Sequence, residues 1–250
     1  MRVAGIDPGT RSFDIVLLEE DHILWEKSID TLELVENPSI LITEVEKQAP
    51  DILVVPSGYG IPLDNGINIK DPRRLIVEVI LLTTYNDLSE FEKRDEIGVG
   101  VYKGLIHVTV KLVEKMKEKV VFIPGVIHLP TIPWYRKVNK VDMGTADKLA
   151  STFIAIHEIS NKEGLDYDEV NLIVVELGFG YTAVISVSNG KIVDGIGGTY
   201  ASIGTLTSGS MDLEIVAGSR VWRRWDVAHG GIFDITGLYD MEEFVRRAEQ

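Results

Sequence analysis

Seven residues near the start of the chain, Val3-Ala4-Gly5-Ile6-Asp7-Pro8-Gly9, are echoed by Leu172-Ile173-Val174-Val175-Glu176-Leu177-Gly178 at a constant spacing of 169. In each copy an apolar run ends in a carboxylate, and a glycine follows two residues later. The spacing holds without a gap for about two dozen positions, and it lays the turn Glu20-Asp21 over Asn189-Gly190. Asn-Gly between apolar runs is a strong hairpin signal. Each copy therefore reads as strand, glycine turn, strand, tight turn, strand. A duplicated unit of this kind predicts two related lobes that face one ligand, with an acid from each.

The 250 residues, 45% hydrophobic and 26% charged, provide enough apolar material for two cores. A net charge of −14 argues against nonspecific binding to nucleic acid or to anionic membrane, both of which reward Lys and Arg. A phosphate ligand would have to be held by backbone N–H groups, a local Arg or Lys, or a metal ion. The absence of cysteine excludes disulfides, thiolate metal sites and cysteine nucleophiles. Met1 to Asp7 enter a strand directly, without a signal-peptide pattern, and no uncharged apolar run approaches the roughly 20 residues of a membrane span. The expectation is a soluble, cytoplasmic protein.

Between the two copies, patterning predicts strands over Arg2–Ile6, Ser12–Glu19 and His22–Ile29, a helix over Pro38–Gln48 and a buried strand over Ile52–Val55. The stretch Pro56-Ser57-Gly58-Tyr59-Gly60 reads as a loop. A helix is expected over Leu105–Lys119, a strand over Val120–Ile123, and a helix capped by Thr145 that runs to about Ser160. His107 and His157 fall on these helices as packing residues. The expected boundaries are a first lobe over 1–161, with an insertion at about 57–119, and a second lobe over 162–250 that is truncated.

The turn Asp7-Pro8-Gly9-Thr10-Arg11-Ser12 offers backbone amides, two hydroxyls and one guanidinium directly after a strand. Amides in such a turn can cradle phosphate oxygens, and the acid can hold Mg²⁺ through water.

These motifs resemble those of the acetate and sugar kinase/Hsp70/actin superfamily. Asp7-Pro8-Gly9-Thr10 is similar to its first phosphate loop and Glu176-Leu177-Gly178-Phe179-Gly180 to its second. Gly144-Thr145-Ala146-Asp147-Lys148 resembles its first connecting helix. Acetate and butyrate kinases are the nearest likeness, in particular the archaeal group called predicted butyrate kinases. Val121 to Pro133 resembles their VFDTAFHQTMP segment, and Gly190-Lys191-Ile192-Val193-Asp194 their GKSVDTSMGFT segment.

The resemblance implies an α/β architecture of two ribonuclease-H-like lobes, each a mixed sheet flanked by helices, in the duplicated actin-like ATPase fold. It implies ATP and Mg²⁺ in the cleft and phosphate transfer to a small carboxylate. Carried over by position, Asp7 and Glu176 are the candidate metal ligands. Asp7, Gly9, Thr10, Ser12, Gly144, Thr145, Gly178, Phe179 and Gly180 are the candidate nucleotide contacts. Glu176, His128 and Arg11 are the candidate catalytic groups, His128 matching the histidine of the FHQTMP segment.

Where the resembled kinases carry an aspartate and two arginines, this chain has Ile123, Leu53 and no counterpart within Leu206–Ser210. Arg11, Arg73, Arg74, Arg220 and Arg224 are candidate replacements. These departures keep two rivals open, a nucleotide-binding or sensing protein without transfer chemistry and a scaffold. The expected partners are a nucleotide and a small carboxylate, with a homodimer as the candidate assembly.

Overall fold

The computed structural model describes residues 1–9, 11–91, 97–178, 180–219 and 222–248. Strands β1 (Arg2–Pro8), β2 (Ser12–Glu19) and β3 (His22–Asp30) form an antiparallel meander on one side of a six-stranded sheet. On the other side of β1 come β4 (Ile52–Val54), parallel to it, then β6 (Val120–Phe122), parallel to β4, and the two-residue β5 (Asp64–Asn65). The spatial order is β3-β2-β1-β4-β6-β5.

Helix α1 (Thr31–Glu36) starts where the Asp30 carboxylate accepts hydrogen bonds from the Leu32 and Glu33 N–H groups, at 2.8 and 3.1 Å. This cap satisfies two otherwise unpaired donors of the first turn. Together with α2 (Ser39–Gln48) and α3 (Ile97–Met116), it covers the sheet. Phe13, Ile15 and Leu17 of β2 share a continuous core with Leu34, Leu41, Val45, Leu105, Val108 and Leu112. Helix α3 begins eight residues before the expected Leu105, because Gly98 and Gly100 break the pattern that identifies a helix in sequence. His107 is exposed rather than packed, one step off the stripe that carries Leu105 and Val108 inward.

A second core gathers Val126, Met143, Leu149, Ile156, Val170, Ile185, Val187 and Ile192. It lies between α4 (Ala146–Glu163) and an antiparallel sheet in the order β7 (Leu172–Leu177), β8 (Thr182–Ser188), β9 (Lys191–Gly197). Helix α4 ends at Gly164, whose φ of +66° suits a residue without a Cβ. His157 is not a packing residue either. Its Nδ1 lies 2.7 Å from the Tyr167 hydroxyl, and its Nε2 lies 2.9 Å from Asn161 Nδ2.

The duplication survives in detail. Asp7 stands opposite Asp14 across β1 and β2, and Glu176 opposite Ala183 across β7 and β8, the same register at the same offset. The irregularity in pairing between Leu17 and Leu18 recurs between Ser186 and Val187. Even the left-handed turn residue is repeated, with φ of +54° at Glu20 and +50° at Asn189. What differs is which face is covered. Ala4 and Ile6 lie in the first core, whereas their counterparts Ile173 and Val175 are 68% and 59% exposed. In the second lobe α4 instead packs against the face that carries Leu172, Val174 and Glu176.

The two cores meet where three loops stack backbone on backbone. Ala146 N–H donates to the Gly58 carbonyl at 2.9 Å, and Val126 N–H to the Gly144 carbonyl at 2.9 Å. A Cβ on Gly60, whose φ is +83°, would lie 2.0 Å from the Gly125 nitrogen, so glycine is required there. After β9 the chain forms short helices over Leu213–Ser219, Ile232–Thr236 and Met241–Ala248. Among the described residues no helix is long and apolar enough to cross a membrane.

Candidate functional site

The site forms around the two repeated acids. Asp7 ends β1, and the register of the hairpin sets Asp14 beside it on β2. Ser12 Oγ donates to Asp14 Oδ2 at 3.0 Å. From elements that pack the second core come Glu176 on β7 and the first turn of α4, where Asp147 and Lys148 are adjacent; α4 thus belongs with the second core although the expected boundary put it in the first lobe.

Lys148 is the hub. Its Nζ lies 2.7 Å from Asp147 Oδ2 and 2.5 Å from Glu176 Oε1, with its side chain 15% exposed. Burial pulls the ammonium down, but Asp147 and Glu176 more than reverse this and raise its pKa above the ordinary lysine value. Thr145 Oγ1 donates to Asp147 Oδ1 and so fixes the carboxylate from the other side. Glu176 Oε2, by contrast, is buried and has no hydrogen-bond partner among the described residues. A buried lone oxygen of this kind is costly unless something else pairs with it.

Asp7 remains accessible to water although protein surrounds much of its carboxyl. Its pKa is raised to about 6, first by burial, then by Asp147, with Asp14 and Glu176 adding and Lys148 opposing. Glu176 and Asp7 therefore feel each other's charge, and the acids of the two repeats share one electrostatic environment. Asp142 behaves similarly. Burial raises it to about 6 against the Gly144 N–H, which donates to Asp142 Oδ1 at 2.8 Å.

The glycine turns flank this cluster. A Cβ on Gly9 would lie 2.7 Å from the Ser12 carbonyl oxygen, and one on Gly178 would lie 2.7 Å from the Tyr181 carbonyl oxygen. The same steric demand recurs at the same offset. The Gly178 position also lies 3.7 Å from Lys148 Nζ, so the second turn and the lysine are neighbours.

Of the residues singled out in the sequence, Asp7, Gly9, Ser12, Gly144, Thr145, Glu176 and Gly178 belong to this cluster or to the turns that border it. Gly180 is buried and its carbonyl accepts from Leu206 N–H at 3.4 Å. Thr10 and Phe179 lie outside the described residues. Arg11 is exposed on the first turn.

His128 stands apart, in a single helical turn over Val126–His128. Burial lowers its pKa, with the nearby Gly125 carbonyl opposing and Lys137 adding to the effect. Nδ1 is buried and, among the described residues, has no hydrogen-bond partner. Arg74 is engaged with Glu78 at 2.8 Å on an exposed helix, and Arg73 is exposed beside it. Arg220 and the side chain of Arg224 lie outside the described residues. Leu53 is fully buried in the first core, so the position of one kinase arginine is here a packing residue.

Sequence reasoning missed Asp14, Asp142, Asp147 and Lys148 as members of the site. The first was available from the hairpin register, since a short glycine turn after Asp7 brings Asp14 directly across. The last two sit in the first turn of α4, where the Thr145 side chain bonds Asp147 rather than capping the helix as expected, inside a stretch already recognised as motif-like. Among the described residues no group of three or more His, Asp or Glu is arranged to hold a metal ion by itself.

A family model described as "Protein of unknown function (DUF1464)" matches residues 5–250. Comparison with curated proteins gives no match. Among solved structures, acetate kinase from Entamoeba histolytica is similar over 100% of this chain and 71% of its own, with a TM-score of 0.55 and 17% identity. That likeness is one of fold, and it agrees with the actin-like ATPase architecture that the resemblance implies. The type II variant of the Ppx/GppA phosphatase from Aquifex aeolicus aligns with 82% of this chain at 15% identity and a TM-score of 0.36. The aligned part is 53% of that phosphatase, and at this score the alignment carries no argument.

Proposed function

This chain belongs to the DUF1464 family of proteins of unknown function, and we propose that it is an ATP-dependent phosphotransferase acting on a small carboxylate. The observation that carries the reading is the convergence of Asp7 and Glu176, 169 residues apart, on one charge cluster bordered by two equivalent glycine turns. The likeness in fold to an acetate kinase supports the same reaction class.

The donor set fits a nucleotide with Mg²⁺. Carboxylate oxygens are hard ligands, and Mg²⁺ is commonly held by one or two of them together with water and phosphate oxygens. Asp7 and Glu176 are the residues that would hold it, and Glu176 Oε2 is an acceptor still lacking a partner. When bound, the ion would neutralise charge on the phosphate being transferred.

The chain's own residues provide the rest. Backbone at Gly9 and Gly178 can approach an anion closely because no side chain intervenes. Thr145 holds Asp147, which in turn orients Lys148. The carboxylates of Asp7, Asp14, Asp142, Asp147 and Glu176 outnumber the Lys148 ammonium five to one, so a bare polyphosphate would be repelled. Binding should accordingly require a divalent ion. His128, half-buried with an unpartnered Nδ1, is the candidate for the acceptor end.

Calorimetric titration with ATP, with and without Mg²⁺, tests the reading. We expect binding with the ion and none with ATP in excess chelator, and trapping of an acyl phosphate with hydroxylamine when acetate or butyrate is added. No binding in the presence of Mg²⁺ refutes the proposal. Tight binding without transfer would instead favour the second reading, a nucleotide-sensing protein, which the burial of Leu53 in place of an arginine supports.

A further inference from the structure

We infer that Lys148 is the cation that grips the terminal phosphate of the bound nucleotide, and that Asp147 and Glu176 store its ammonium until that phosphate arrives. The inference rests on the nucleotide reading of the site and adds to it the residue that replaces the missing arginines.

Three observations carry it. First, the chain has Leu53 in its core where the resembled kinases have one arginine, and Arg74 is committed to Glu78 on an exposed helix. Among the described residues, Lys148 is a positive charge that acts on both Asp7 and Asp142. Phosphoryl transfer depends mainly on positioned charge, so a site of this kind needs a cation on the phosphate.

Second, Lys148 is placed for the task. It occupies the first turn of α4, and its Nζ is 3.7 Å from the point where a Cβ would stand on Gly178, so it borders the second glycine turn directly. A lysine ammonium has three donors. Asp147 and Glu176 occupy two of them, which leaves one for a further acceptor.

Third, the partnership with Glu176 is lopsided. Oε1 takes the ammonium at 2.5 Å, while Oε2 is buried with nothing to bond. A purely structural ion pair gains most when both carboxylate oxygens are satisfied. Here the glutamate is half used, as expected if the lysine can turn toward a phosphate and leave Glu176 free for the metal ion. Asp147, clamped by Thr145, would keep the lysine in place throughout.

The test compares two nucleotides, ADP and the non-hydrolysable β,γ-methylene analogue of ATP, each with Mg²⁺, on wild type, Lys148→Met and Lys148→Arg. A charge-assisted hydrogen bond of this kind corresponds to a roughly 10- to 100-fold change in affinity. Lys148→Met should therefore lose about that factor for the triphosphate analogue while ADP changes less than about threefold. Lys148→Arg should recover most of the loss. Thermal melts of each variant identify any that fail to fold, and Lys148→Arg, which keeps the charge beside both acids, is the variant least exposed to that failure.

Equal losses for both nucleotides, or no loss for either, would overturn the inference and leave Lys148 as a brace between Asp147 and Glu176. If wild type itself binds neither nucleotide, the phosphotransferase reading fails and the inference with it. That outcome is distinct from a wild type that binds and a variant that does not discriminate.

Discussion

Asp7 carries the sharpest conflict between stability and function. Its carboxyl is held near a pKa of about 6 by burial and by Asp147, Asp14 and Glu176, whereas an unfolded chain leaves it at 3.8. Between these values the native state binds more protons than the unfolded state, so stability falls as pH rises from about 4 to 6. Above that window the ionised group is a net cost. Because Asp7 remains accessible to water, solvent screening reduces this cost to about 1 kcal/mol. Asp7→Asn should then raise the melting temperature at pH 8 by about 2–4 °C, with the gain vanishing at pH 4. The same substitution should abolish Mg²⁺-dependent nucleotide binding, since it removes one of the two acids proposed to hold the ion. A variant that is stabilised equally at both pH values would show that charge is not the cause.

At the level of elements, the repeat makes a paired prediction. Gly9 and Gly178 each face a carbonyl oxygen 2.7 Å from the position of a Cβ, so alanine at either site forces the turn to shift. The cost should be about 1–3 kcal/mol, and similar for both. Gly5 is the internal control, with nothing within 4 Å of its missing Cβ. Gly5→Ala should be neutral or slightly stabilising, as expected of a strand glycine with room to spare. Urea unfolding of the three variants would measure this, and a Gly9→Ala as mild as Gly5→Ala would contradict the steric account. The hairpins were legible beforehand because alternating burial, an acid and a glycine leave a pattern that survives divergence. The π-helical turn over Leu75–Ile80 and the short helix over Tyr85–Phe91 were not, since continuous apolar residues such as Leu75-Ile76-Val77 carry no period that distinguishes a helix from a strand. Lys148 escaped for another reason. In sequence it is one more charged residue on a helix, and only the fold of β7 against α4 brings Glu176 to it.

For the whole molecule, the proposed nucleotide site predicts that ligand binding couples the two cores. Asp7 and Asp14 come from strands of the first core, Asp147 and Glu176 from the helix and strand that pack the second, and Lys148 bridges the last two. The stacked loops at Gly58, Gly125 and Gly144 join the two cores. A divalent ion bound between these acids and a polyphosphate would couple the two cores through the ligand. At a nucleotide concentration near 100 times the dissociation constant, linkage contributes about 2.7 kcal/mol. For a chain of this size that corresponds to a rise in melting temperature of roughly 5–10 °C. The rise should need both components together, and neither Mg²⁺ alone nor ATP in chelator should produce it. Small-angle scattering on the same samples should give a smaller radius of gyration only in the combined state. Amide exchange should slow at both glycine turns at once, because each lobe contributes one half of the site. Protection confined to the turn at Gly178 would place the ligand on the second lobe alone and remove the reason for the first acid to face it.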